Sequence, residues 1–283
     1  MNNTTDSRRP SFAYNRFADL FYYLLAHMPV NNAADESDPE YAAEMKACLG
    51  VSPEIPQDVI DYYGAHFDRV MIAGFIALTA PDTRTFRGML AGCGMLTEED
   101  MNAFVDPLTG ICDRMAEKFD PWWEAHHAER MAQRAETVYA RFRELAERFG
   151  RFFDNLGPEA NVLFSYTLRK NGRAFNQPGM IFVYLTFPEK EEEIPGCFLQ
   201  YLHECTHSVT DPMMNRDILM ADGSHDLSEY QVLCFDEYLI DALCPELSGT
   251  YREWIGPEYL DYAHQILGEA GETRLKERLK KML

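Results

Sequence analysis

The chain has 283 residues, of which 46% are hydrophobic and 25% charged, which is ordinary for a globular protein with a substantial core. Its formal net charge of −20 disfavours phosphate backbones and anionic lipid, so neither nucleic acid nor a membrane surface is expected as a partner. Seven cysteines without CxxC pairs, and an N-terminus without the apolar core of a signal peptide, predict a cytoplasmic protein.

The first half of the chain is dominated by helical patterns. Residues 1–10 are predicted to be a disordered tail, and apolar residues then recur at helical spacing from Phe12 to His27. Further helices are expected at 56–80, after the capping residue Thr97, and at 121–153. Residues 11–157 are therefore predicted to form a helical N-terminal region.

The pattern changes after Gly157-Pro158. Asn161–Leu168 and Met180–Phe187 are short runs of β-branched and aromatic residues, and Asn171-Gly172 between them is a turn signal. They predict a small antiparallel sheet, which two or three helices follow. The expected fold class is α+β, predominantly α-helical, with this sheet beside the helix that contains the motif described next.

That motif is His203-Glu204-Cys205-Thr206-His207, which fits the pattern H-E-x-x-H. Four residues are slightly more than one helical turn, so both imidazoles project from one face and can bind one zinc ion. Glu204 is displaced around the helix axis, where it can hold a water molecule instead of the metal. Residues 158–283 are therefore predicted to be the zinc-binding catalytic region.

A third ligand must come from elsewhere in the chain. Glu237 and Asp241 lie one turn apart on a predicted helix, so Glu237 could complete the site. Asp241 could then accept a hydrogen bond from the free ring N–H of a ligand histidine. Glu229, and Asp211 one turn after His207, are the alternatives, although Glu229 has no aspartate one turn later.

These residues resemble the motif of the gluzincin clan of zinc peptidases, of which thermolysin is the familiar member. The resemblance implies zinc bound by His203, His207 and Glu237, with Glu204 as general base and Asp241 supporting a ligand. It also implies that the strand ahead of the motif helix pairs with an extended peptide. The metzincin pattern does not fit, because Thr210 and Met213 stand where it requires Gly and His.

The gluzincin resemblance further implies a downstream Tyr or His that stabilises the oxyanion of the transition state. Several residues qualify, and Tyr251 is taken as the candidate: His225, Tyr230, Tyr251, Tyr259 and His264. The expected function is that of a zinc metallopeptidase acting on a peptide or protein substrate. The alternative is a catalytically silent metal-binding protein or a helical protein-interaction module. The sequence gives no indication of the oligomeric state.

Overall fold

The computed structural model describes residues 10–28, 39–50, 52–157, 159–168, 172–177, 179–214 and 224–283. Most of these residues are helical, as the sequence predicts. The helices of the first half are α1 Arg16–Leu25, α2 Pro39–Leu49, α3 Gln57–Ala65, α4 Phe67–Val70, α5 Ile72–Thr79, α6 Thr83–Cys93, α7 Glu98–Asp100, α8 Asp106–Arg130, α9 Glu136–Arg148 and α10 Gly150–Asn155. Those of the second half are α11 Ile194–Thr210, α12 Ser224–Leu243, α13 Ser248–Ile255 and α14 Pro257–Met282.

Local sequence explains where several of these helices begin. Asn15 accepts a hydrogen bond from the Ala18 backbone at the start of α1, and Asp82 does the same for Thr85 at the start of α6. The predicted cap Thr97 is confirmed, since Thr97 and Asp100 form a reciprocal capping box. Helix α8 begins at Asp106, well before the predicted start at Pro121. It joins α9 through the π-helical turn Met131–Ala135.

Among the described residues four strands form one sheet, namely β1 Phe12–Tyr14, β2 Glu159–Ser165, β3 Arg173–Gln177 and β4 Met180–Thr186. Their order is β1-β2-β4-β3. β1 pairs with β2 and β2 with β4 in parallel, and only β3 and β4 are antiparallel. The α+β fold class is confirmed, but the sheet is mixed and not antiparallel.

The reason for this difference lies between the two predicted strands. The segment read as a turn also contains β3, which forms the hairpin with β4 and leaves β2 parallel to β4. The first residues of the predicted helix Phe12–His27 form β1 instead, because they pair with β2, which lies far away in the sequence. Of the expected tail, residues 1–9 lie outside the described residues.

One hydrophobic core includes residues from both halves of the chain. Helix α11 lies against β4 and α12, and it also contacts α9 and α13. The apolar face of α11, which includes Phe198, Leu202 and Val209, is fully buried. The motif helix is therefore fixed in position by its packing. None of the helices in the described part of the chain is both long and apolar enough to cross a bilayer.

Candidate metal centre

The H-E-x-x-H residues lie in the last two turns of α11. His203 and His207 are one turn apart, with ring centroids separated by 5.1 Å and ring planes at 87°. Both rings belong to the same wall of a cleft, while Cys205 and Thr206 point into the core. The helix therefore presents the two imidazoles together, as the spacing in the sequence predicts.

Helix α12 adds a carboxylate to this pair. Oε1 of Glu229 lies 3.5 Å from Nε2 of His203, and Oε2 lies 3.8 Å from Nε2 of His207. One ligand atom from each of these three residues lies within 4.8 Å of the others. Ligand atoms of a tetrahedral zinc site with bonds of about 2.0–2.1 Å are roughly 3.3 Å apart. The three side chains are thus spaced as ligands of one ion.

The other ring nitrogen of each histidine is held by an aspartate. Nδ1 of His203 lies 2.9 Å from Oδ2 of Asp236, and Nδ1 of His207 lies 3.3 Å from Oδ1 of Asp211. Asp211 also accepts a hydrogen bond of 2.6 Å from the Ser228 hydroxyl, which joins the end of α11 to α12. These contacts place Nδ1–H toward the carboxylates, so both Nε2 atoms are available for a metal.

The aspartates also change the proton affinity of the histidines. Burial lowers the pKa of His203, but the hydrogen bond and charge of Asp236 outweigh burial and raise it to about 9. Burial likewise lowers the pKa of His207, and its contact with Asp211 raises that pKa above the ordinary value. A site that attracts a proton this strongly is a site of high negative potential, which also attracts a metal cation.

Asp236 provides a test of whether a metal ion fits here. Its side chain is 1% exposed, and its second oxygen, Oδ1, is buried without a hydrogen-bond partner among the described residues. A buried carboxylate needs a compensating positive charge, which the protonated His203 ring supplies in the metal-free protein and a neutral ring does not. A cation on the far side of the ring would supply that charge in place of the proton. Two imidazoles and a carboxylate are also a ligand set that zinc accepts.

Glu204 lies beside the two histidines and lines the same cleft. Burial raises the pKa of its carboxyl, and the charges of His203, His207 and Arg173 oppose this rise. A carboxylate with a raised pKa is a better proton acceptor at neutral pH than an exposed one. The backbone approaches it closely at Gly172, where an added Cβ would lie 3.5 Å from Oε1 of Glu204 and 3.1 Å from Leu185.

The cleft in front of these residues has a volume of about 620 Å³. The first residues of the edge strand β3 line it, together with side chains from α4, α5, α12, α13 and α14. The lining side chains other than the motif and Glu229 include Phe67, Met71, Phe75, Arg173, Gln200, Leu233, Trp254, Ile255 and Tyr259. Both halves of the chain therefore contribute to the walls around the candidate metal ligands.

Glu237, the third ligand expected from the sequence, lies in a different cluster. Its carboxylate accepts hydrogen bonds from Arg252 at 2.8 Å and lies 2.6 Å from Nε2 of His264. Asp241 is exposed and accepts a hydrogen bond of 2.5 Å from Ser248. The structure thus brings neither residue to His203 or His207, and Glu229 and Asp236 occupy the places expected for them.

Helical geometry explains this replacement. Glu229 and Asp236 are seven residues apart, which is close to two turns, so they share one face of α12. Glu237 is rotated by about 100° from Asp236 and therefore faces α13 and α14. The signal in the sequence was this seven-residue spacing, because an aspartate two turns after a glutamate shares its helix face as well as an aspartate one turn after it does.

The candidates for the oxyanion donor are also separated by the structure. Tyr251 is 1% exposed, and its hydroxyl donates to the Leu233 carbonyl at 2.9 Å, so it does not reach the cleft. His264 is held by Glu237 and Glu272. Tyr259 is 43% exposed and lines the cleft. The pKa of its hydroxyl is raised mainly by partial burial and also by the charge of Glu229. The His225 side chain lies outside the described residues.

Comparisons of the chain with protein family models, with curated proteins and with solved structures found no match in any of the three.

Proposed function

We propose that the protein is a zinc-dependent metallopeptidase whose metal is held by His203, His207 and Glu229. The observation that carries the proposal is the convergence of both Nε2 atoms on the Glu229 carboxylate while aspartates hold both Nδ1 atoms. Two carboxylate–histidine pairs whose free ring nitrogens converge on one place are typical of metal centres. A helix contact with a purely structural role does not require them.

Glu204 is the general base of the proposed reaction. A bound zinc ion supplies Lewis acidity, lowering the pKa of water and polarising a carbonyl group. Glu204 accepts the proton of the attacking water and passes it to the departing amine. Burial, which raises the pKa of this carboxyl, favours the first of these transfers.

Tyr259 is proposed as the donor that stabilises the developing oxyanion, in place of Tyr251. It is the tyrosine among the sequence candidates that lines the cleft, and burial raises the pKa of its hydroxyl, so the proton stays available for donation. Its ring packs edge-on against Tyr230, with centroids 5.8 Å apart, which limits its movement.

A peptide is the proposed substrate because of what borders the cleft. β3 is the last strand of the sheet in the part of the chain that the structure describes, and its residues Arg173 and Ala174, with Gly172 just before them, line the cleft. An edge strand offers backbone groups to an extended peptide. β4, the strand for which the gluzincin resemblance implies this role, lies between β2 and β3 and has both edges occupied.

The proposal includes a reducing, cytoplasmic location and excludes nucleic acid and membranes as partners. All six cysteines that the structure describes are unpaired, and five of them are buried. The net charge of −20 disfavours binding to polyanions and anionic lipid.

The test combines metal content with hydrolysis of a peptide pool. We expect about one zinc ion per chain by elemental mass spectrometry, and cleavage of peptides detected by mass spectrometry. Glu204→Gln should retain the zinc and lose the cleavage, because the amide cannot accept the proton. Equal rates for the variant and the wild type would remove Glu204 from the mechanism. Zinc binding without any cleavage would favour a catalytically silent metal-binding protein.

A further inference from the structure

A row of three apolar side chains from the first half of the chain lines the cleft. Phe67, Met71 and Phe75 follow one another at intervals of four residues, and the backbone stays helical between them, with the Met71 N–H donating to the Phe67 carbonyl at 2.8 Å. They therefore lie in line along α4 and α5. All three are only partly buried.

Two of these side chains are not used by the core. Phe67 packs against the core and against Tyr63, with ring centroids 5.4 Å apart. Met71 and Phe75 belong neither to the core cluster of the described residues nor to the apolar side chains packed against it, although both line the cleft. Partly buried apolar side chains that face a cleft gain free energy when a ligand removes them from water.

The same cleft has further apolar side chains close to the ligands. Leu233 is one turn after Glu229 on α12, and the Trp254 ring stands edge-on to the His203 ring, with centroids 5.7 Å apart. The one permanently cationic side chain among the described lining residues is Arg173, whose charge acts on Glu204. Away from the motif and Glu229, the walls are therefore mainly apolar.

We propose that Phe67, Met71 and Phe75 form a specificity subsite that accepts a large apolar side chain next to the bond that is cut. The inference rests on the proposed function, since it specifies which substrate side chain the proposed peptidase site prefers. A residue such as Phe or Leu is desolvated against this row, whereas Ala leaves the row in contact with water. A charged side chain loses its hydration there without a partner.

The experiment measures binding, so that it does not depend on turnover. Two peptide hydroxamates, identical except for Phe or Ala beside the hydroxamate, are titrated calorimetrically into the zinc-loaded full chain. We expect the Phe compound to bind at least about tenfold more tightly than the Ala compound. Met71→Ala and Phe75→Ala should each reduce this ratio severalfold while leaving the affinity for the Ala compound within about twofold.

Two further variants separate specificity from general damage. Met95→Ala is the control, because Met95 is 59% exposed and lies outside the cleft, so the ratio should not change. Phe75→Asp should transfer the preference to a Lys hydroxamate, since a carboxylate would then face the bound side chain. Circular dichroism spectra check that each variant is folded.

The outcomes distinguish the subsite from the peptidase. Equal binding of the Phe and Ala compounds, or a preference unaffected by Met71→Ala and Phe75→Ala, overturns the subsite even if peptides are cleaved. A Phe preference that both variants reduce, without cleavage of any peptide, supports the subsite and overturns the peptidase. No binding of either compound by zinc-loaded protein overturns both.

Discussion

At the scale of single residues, the site depends on which carboxylate contacts which histidine nitrogen. Glu229 approaches both Nε2 atoms, while Asp236 and Asp211 hold the two Nδ1 atoms. The motif His203-Glu204-x-x-His207 was predicted directly from the sequence because four-residue spacing fixes a common helix face. The proposed third ligand, Glu229, was not, since several acidic residues follow the motif and their rotation around α12 depends on where the helix packs.

The choice between Glu229 and Glu237 can be tested by paired variants. We expect Glu229→Ala to weaken zinc binding by at least about 100-fold, because it removes a proposed ligand. Glu237→Ala should leave zinc affinity within a few-fold, since Glu237 contacts Arg252 and His264. Competition with a chelator of known affinity measures both. A large loss in Glu237→Ala and none in Glu229→Ala would reverse the assignment.

The pH dependence of metal binding follows from the histidine pKa values. In the metal-free protein Asp236, opposed by burial, raises the pKa of His203 to about 9, and the pKa of His207 is also raised. Below pH about 9 a metal must therefore displace a proton from His203, and at lower pH one from His207 as well, so affinity should fall by at least about tenfold for each unit of decreasing pH. Chelator competition at several pH values measures the slope.

Asp236→Asn serves as the comparison for this pH dependence. Removing the carboxylate lowers the pKa of His203, so affinity should change less steeply with pH near neutrality. Zinc affinity at pH 8.5 should also fall by about 10- to 100-fold, as for other supporting carboxylates of metal centres. A slope identical to that of the wild type would show that Asp236 does not control His203.

At the scale of elements, Asp100 connects the helices that carry the apolar row. It accepts hydrogen bonds from Tyr62 on α3, from Arg69 on α4 and from its capping partner Thr97. Its side chain is fully buried. These contacts orient α4, on which Arg69 lies between Phe67 and Met71.

Asp100→Ala should therefore destabilise the first half of the chain. Removing the shared acceptor leaves the Thr97 N–H, the Tyr62 hydroxyl and the Arg69 guanidinium without this partner, and we expect a loss of about 2 kcal/mol in the free energy of unfolding. Urea denaturation followed by circular dichroism measures it. Glu98→Ala, at an exposed position of the same short helix, is the matched control and should change stability by less than about 0.5 kcal/mol.

The elements also show what the sequence could predict. Helix patterns in the first half were clear because their apolar periodicity and caps are local signals. Strands β1 and β3 were not predicted. β1 is only three residues long and is stabilised by pairing with β2, which is distant in the chain, and β3 is stabilised by pairing with the adjacent strand β4. Without β3, the pairing of β2 and β4 was wrongly predicted to be antiparallel, because two neighbouring strands with a turn signal between them predict a hairpin.

At the scale of the whole molecule, Asp19 joins the helical first half to the sheet. It is 0% exposed and accepts hydrogen bonds from Trp123 on α8 at 2.7 Å and from the Tyr166 backbone at 3.0 Å. The Ser165 hydroxyl and the Thr167 backbone and hydroxyl also donate to it. One buried carboxylate thus binds together α1, α8 and the end of β2.

We expect the two halves to unfold in one transition because of this shared network and the common core. Trp122 and Trp123 report on α8 and Trp254 on α13, so tryptophan fluorescence and far-ultraviolet circular dichroism should give coincident urea curves. Asp19→Ala should shift the midpoint down by an amount equivalent to about 3 kcal/mol or more, since several buried donors lose their acceptor. Two separated transitions in the wild type would show that the halves are independent.

The pairing of β1 with β2 also has a consequence for synthesis. Phe12 finds its partner Val162 about 150 residues later in the chain, and β2 in turn needs β4 beside it. In a nascent chain that ends before residue 186, β4 is incomplete, so Phe12 and Tyr14 lack a stable strand β2 to pair with. Expression of either half alone is therefore expected to give aggregation-prone fragments, whereas co-expression could restore the sheet by complementation.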